Sequence, residues 1–276
     1  MKHNEIERIL LEKYKSIFNN QTSPEWAMKN KKTQECIYPS IPFIGKQYFT
    51  QDKRILVYAS AENLTYYKNS NGDNELLESE IAWNRRRIGF ESCNGDFFPF
   101  VHIQPIDNGG LLSLTYFIAI YNGWIRPDYN PYQFIECLAV DNIGKFSIDS
   151  DGRNVDYIQD KNKLLESYNY IEADIKTLKP NVIILPEKAL MQPKIKEMIQ
   201  VHCEGAIIIP IYQLTSTVIN CHISKQISQT KYEEVEKLTP DNLKEWVEKI
   251  KIRGMKKSGM YLYFAHALDR YKNIKS

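Results

Sequence analysis

The chain has 276 residues, 43% of them hydrophobic and 25% charged, with a formal net charge of +2. That composition is ordinary for a globular protein, and the length suits one large α/β unit better than two full domains. The charge is too small to argue for nucleic acid by itself, and no apolar run approaches the ~18–20 residues that cross a bilayer.

The amino-terminal stretch MKHNEIERILLEKYKSIF is charged throughout and has no signal-peptide core, so a cytoplasmic protein with no membrane contact is expected. Ile6, Ile9, Leu10, Tyr14, Ile17 and Phe18 fall on one face of a helix over 3–18. A polar, proline-dotted segment follows to about residue 50, with a short helix expected near Trp26. Residues 54–59 read as the first strand, and 68–96 as loop, helix, loop. Leu111 to Tyr121 is apolar on every side, as in a buried helix, and Asn122-Gly123 ends it.

The segment QFIECLAVDNIGKFSI reads as a strand opening into a loop. Leu164, Leu165, Tyr168, Ile171, Ile175 and Leu178 then lie at helical spacing up to Pro180. NVIILPEKAL and GAIIIPIYQLTST are two further apolar strands. A polar stretch covers 222–238, and Thr239-Pro240 reads as N-cap and first helical residue. Leu243, Trp246, Val247 and Ile250 form another helical face, and MYLYFAHALDRY is the last helix.

Short, continuous apolar strands alternating with helices belong in a parallel sheet buried on both sides. The expected fold is a three-layer α/β/α arrangement around a central four-stranded parallel sheet. A single domain over 1–276 is expected, with a helical extension (about 1–50), a core (about 54–216) and a helical C-terminal segment (about 222–276). Cys36, Cys93, Cys137, Cys203 and Cys221 are scattered without a C-x-x-C pair, and the five histidines are as dispersed. Neither a disulfide framework nor a metal or other cofactor is expected.

Ligands bind such sheets at the carboxyl ends of the strands, which selects four junctions. Glu62 and Asn63 place a carboxylate beside an amide, a pair that activates water or stabilises a developing cation; a loop or cap is the plainer reading. Asn142 suits the edge of a nucleobase and Lys145 a phosphate, against a turn with a surface lysine. Glu187 resembles the strand-end glutamate of nitrilase-type amidohydrolases, which also need a lysine and a cysteine, or it simply starts a helix. Tyr212, Gln213, Thr215 and Ser216 make a hydroxyl-rich loop that suits a sugar-phosphate or caps a helix. There is no G-x-S-x-G elbow, no phosphate-binding G-x-x-x-x-G-K-[ST] loop and no G-x-G-x-x-G.

Taken in order over about 54–216, these junctions resemble the uracil-DNA glycosylase superfamily. VYASAEN stands for the first motif, FPFV and GGLL for the base-stacking segment and the buried helix, and VDNIGKFS for the base-reading strand end. EADIKTLKPNVIILPEKAL matches the next helix and strand, and IIPIYQLTST stands in the place of the last motif. The chain differs from the family in lacking the glycine and proline of the first motif, the histidine of the last, and the iron–sulfur cysteines of one branch.

The resemblance implies a protein that flips a damaged or modified base out of single- or double-stranded DNA and hydrolyses its N-glycosidic bond; a hypermodified base of foreign DNA is one such substrate. Ser60, Phe100 and Asn142 would hold the base. Glu62, Asn63 and Gln213 would serve catalysis. Lys145, Tyr212, Thr215 and Ser216 would hold DNA, aided by Arg85-Arg86-Arg87 and the basic run from Lys249 to Lys257. A non-catalytic nucleic-acid or nucleotide-binding protein on the same fold is the alternative, and a nitrilase-type amidohydrolase a third reading.

Overall fold

The computed structural model describes residues 3–29, 34, 36, 39, 41–61, 107–148, 157–212, 214–249 and 258–275. Its centre is a five-stranded sheet in the order β1-β3-β2-β4-β5, formed by Phe43–Ile44, Ile55–Ala61, Leu138–Gly144, Val182–Pro186 and Ile207–Ile211 for β1 to β5. Strands β2 to β5 run parallel, as expected, but β1 pairs antiparallel with β3. The α/β class therefore holds, whereas the expected four-stranded, all-parallel sheet is a mixed sheet of five. A two-residue strand is too short to show any periodicity in sequence, which is why β1 escaped the sequence reading.

The main helices are α1 (His3–Asn20), α2 (Asp107–Tyr121), α3 (Tyr168–Leu178), α4 (Pro193–His202), α5 (Gln229–Leu238), α6 (Asp241–Lys249) and α7 (Ser258–Lys275). Every residue of β3 and β4 is buried, as a strand covered on both faces must be. On one face Val57, Val140, Ile184 and Ile209 pack under α2, α6 and α7, with Phe117 stacked on Phe264 at 4.7 Å. On the other, Leu56, Ala139, Ile183 and Leu185 pack under α1, α3 and α4.

The connections explain which helix lies where. From β2 the chain passes through α2 to β3 on one side of β2, then back through α3 to β4 on its other side, and on through α4 to β5. Parallel crossovers keep one hand, so a reversal of direction puts α3 and α4 on the face opposite α2. After β5 the chain returns to the face of α2, through Leu214, Ile219, Ile223 and Ile227. Neighbouring strands thus send their connections to opposite faces at β3/β2, β2/β4 and β4/β5, and each such reversal opens a crevice at the carboxyl edge.

Most sequence-derived elements are present, with local differences. The buried helix is α2, where the hydroxyls of Ser113 and Thr115 donate to the carbonyls of Gly110 and Leu111, both at 2.8 Å. Near Trp26 there is a turn rather than a helix. The helix expected to run up to Pro180 is broken at Glu166-Ser167 into Lys161–Leu165 and α3. The polar stretch 222–238 contains α5, begun by Ser228, whose hydroxyl accepts from the Lys231 amide at 3.3 Å. Thr239 does not cap α6; its hydroxyl donates back to the Val235 carbonyl of α5 at 2.7 Å. The helix expected within 68–96 lies outside the described residues, as do Arg85-Arg86-Arg87 and 250–257.

Gly45 pins the short edge strand. Its amide donates to the Leu138 carbonyl at 2.7 Å, and a Cβ there would stand 2.2 Å from the Glu136 carbonyl oxygen. Backbone on both sides leaves little room to relax, so Gly45→Ala is expected to lower the unfolding free energy by about 1–3 kcal/mol, measured by urea denaturation.

Candidate functional site

At the carboxyl edge, β2 and β3 lie side by side, with Ala59 opposite Asn142 and Ala61 opposite Gly144. Ser60 is half-buried on β2, and Asn142 is buried on β3 on the face that carries α2. The ends of the first two strand motifs are therefore in register. Glu62 and Asn63 follow directly on the last residue of β2, but they, Phe100 and Gln213 lie outside the described residues.

Lys145 differs most from expectation. It is 1% exposed, and its ammonium donates to Asp141, to Asp174 at 2.5 Å and to the Tyr14 hydroxyl at 2.9 Å. All three ammonium hydrogens are thus used inside the protein, and the DNA contact expected of Lys145 is replaced by an internal one. Tyr14 and Tyr58 donate to Asp174 at 2.7 and 3.1 Å. Five side chains from α1, β2, β3 with its exit, and α3 meet here, all at or below 3% exposure.

The remaining bonds tie this cluster to the strand end. Asp141 uses its other oxygen to accept from the Asn142 amide at 2.8 Å. The Lys145 amide donates to the buried Ser167 hydroxyl at 3.0 Å, at the break before α3. Lys145 thereby holds Asp141, and Asp141 holds the backbone of Asn142.

Burial by itself lowers the pKa of Lys145, but Asp141 and Asp174 outweigh it and keep the ammonium above the ordinary lysine value. Burial pushes Asp174 up to about 7, against the pull of Lys145 and with the like charge of Asp141 adding to the rise. Burial, and then the two aspartates, raise Tyr14 and Tyr58 well above the ordinary tyrosine value, so both hydroxyls stay protonated donors.

A second polar group occupies the carboxyl ends of β4 and β5. Glu187 follows β4 immediately and Tyr212 follows β5. Arg270, reaching from α7, pairs with Glu187, donates to the Tyr212 hydroxyl at 2.9 Å and lies 4.4 Å from the centre of the Tyr212 ring. Its Nε–H donates to His266 Nε2 at 3.3 Å, and the His266 ring lies 4.6 Å from the Tyr212 ring, tilted by 31°. The Tyr212 carbonyl accepts from the Tyr263 hydroxyl at 2.8 Å. His266 and Arg270 lie beyond the span that carries the sequence motifs; their i, i+4 spacing on one helix was the available signal.

The other candidates are placed as follows. The Thr215 hydroxyl accepts from the Val218 amide at 3.1 Å, so it caps the short helix Ser216–Val218. Ser216 is the first residue of that helix. Cys203 lines a cleft of about 400 Å³ with Arg54, Lys179 and Asn181, at the amino edge of the sheet. Glu187 stands at the carboxyl edge, so this pair does not form an amidohydrolase site; Cys221 is exposed. Among the described residues, no group of three or more His, Cys, Asp or Glu is placed to hold a metal ion, and no helix is long and apolar enough to cross a membrane. No protein family, curated protein or solved structure matches the chain.

Removing Lys145 leaves Asp141 and Asp174 facing each other in the interior without their cation. Lys145→Met is expected to cost about 3–5 kcal/mol of stability by urea denaturation, and Asp174→Asn, which keeps a one-to-one pair with Asp141, distinctly less. Asp174 holds its proton to a higher pH than an unfolded aspartate at about 4. Its contribution to stability is full below that value and is lost as pH rises through about 7. Urea midpoints measured from pH 4 to pH 8 should fall along this window in the wild type, and the fall should flatten in Asp174→Asn.

Proposed function

We propose that the chain is a glycosylase-like hydrolase that cuts the N-glycosidic bond of a damaged or modified base flipped out of DNA, on a uracil-DNA-glycosylase-like arrangement of its four parallel strands. The observation that carries the reading is the register of β2 against β3. It pairs Ala59 with Asn142 and Ala61 with Gly144 at the carboxyl edge, and β2 ends there at Ala61, the residue before Glu62 and Asn63 in the sequence.

Extruding a base costs a few kcal/mol and brings its polar edge to a strand-end pocket. The Asn142 amide both donates and accepts, so it can match that edge. Phe100 stacks on the ring. Glu62, with Asn63, positions water and stabilises the cationic sugar as the bond breaks, and Gln213 donates to the departing base. Lys145 acts at one remove in this scheme, through Asp141 and the Asn142 backbone. Attraction to phosphates falls to the basic runs at 85–87 and 249–257.

The altered first motif favours an unusual base over uracil, and it also keeps a second reading in play: the same crevice binding a nucleotide or nucleic acid without cutting it. Oligonucleotides carrying a panel of modified bases, incubated with the protein and treated with alkali, separate the two. Strand breaks at one modified base are expected, with kcat reduced roughly 100-fold in Asn142→Ala. Tight binding with no abasic sites from any base in the panel would instead establish the binding protein.

A further inference from the structure

The His266 ring is 3% exposed. Arginine can only donate, so the bond from Arg270 Nε–H makes His266 Nε2 an acceptor and leaves the ring proton on Nδ1. Among the described residues that Nδ1–H has no partner. Native proteins pair almost all of their buried donors, so an N–H fixed in one tautomer and left open in a polar cluster marks a place for an acceptor. Burial, and then the Arg270 charge, push His266 down to about 4, so near neutral pH the ring donates without carrying charge.

The position of the cluster agrees with a ligand site. Glu187 leads from β4 towards α4 on one face, while Tyr212 leads from β5 to the other face, so the group stands where two connections diverge. Arg270 is held by Glu187, Tyr212 and His266, and Tyr212 is held by Tyr263. These donors are fixed before any ligand arrives, and such preorganisation lowers the cost of binding.

The charge balance selects the ligand. Arg270 and Glu187 cancel and His266 is neutral, so the cluster carries no net charge. An anion would gain Arg270 only by facing the Glu187 carboxylate. A neutral carbonyl oxygen meets the same donors without that repulsion, and the partly exposed Tyr212 ring, tilted by 31° from the His266 ring, gives a planar molecule an aromatic neighbour.

We propose that Tyr212, His266, Arg270 and Glu187 form a binding site for a neutral, planar, carbonyl-bearing ring, with His266 Nδ1–H donating to the carbonyl oxygen. Strand β5 is three places from β3, which carries Asn142, a lateral offset of roughly 14 Å at the usual strand spacing. The site therefore takes a different group from the one at Asn142. If the ligand is DNA, which rests on the function proposed above, that group is a base other than the flipped one.

The test is long-range ¹⁵N–¹H NMR of ¹⁵N-histidine-labelled full-length protein, titrated with uracil and, separately, with inorganic phosphate. Uracil is expected to shift the His266 Nδ1–H resonance, with phosphate leaving it in place. His266→Phe, which keeps a ring on Tyr212 but lacks the donor, should bind uracil severalfold to about tenfold more weakly. A shift by phosphate alone, a resonance that neither probe moves because water holds the proton, or unweakened binding in His266→Phe would each overturn the proposal. No bond is broken in this assay, so a shift by uracil stands even if no base is released from DNA, and base release stands without a shift.

Discussion

One ammonium group orders this fold. Lys145 sits at 1% exposure between Asp141 and Asp174, in a place where an unpaired charge would cost several kcal/mol. Its partners beyond Asp141 come from other segments, Tyr14 from α1 and Asp174 from α3, and Tyr58 from β2 donates in turn to Asp174. All must be in place together for the charge to be buried at all. Apolar packing tolerates small shifts, whereas this arrangement has one geometry that satisfies every donor, so it fixes α1 and α3 against the sheet in a single setting.

The same cluster reaches the carboxyl edge of the sheet. Asp141 bonds to the lysine through one oxygen and to the Asn142 amide through the other. Strand side chains alternate between faces, so the ion cluster lies under α1 and α3 while Asn142 lies under α2. The exit of β3 is thereby held from behind, and its amide is presented from a backbone that cannot drift. At β4 and β5 the corresponding anchor is the Arg270–Glu187 pair, supplied by the last helix rather than by the sheet.

Much of the architecture was legible because it follows from apolar patterning. The runs at 55–59, 182–185 and 207–211 could be little else than buried strands, and Leu111 to Tyr121 could be little else than a buried helix. Hydrophobic periodicity is blind to buried ion pairs, however, and that is where the site reading diverged. Lys145 follows a strand and a glycine, where a surface loop is the ordinary expectation. A clue was present in α3: Asp174 falls on the apolar stripe made by Ile171, Ile175 and Leu178, and an acid on such a stripe requires a cation opposite it. The β4/β5 cluster was harder to find, because His266 and Arg270 approach Tyr212 from 54 and 58 residues further along the chain.

The central claim is that the chain binds its ligand at the carboxyl edge of the parallel strands. Hydrogen–deuterium exchange, read by mass spectrometry with and without a single-stranded oligonucleotide carrying modified bases, tests it most directly. The account predicts slowed exchange in peptides covering 57–61, 140–144 and 209–212. Protection confined to 176–181 and 201–204, around the basic cleft at the amino edge, would contradict it.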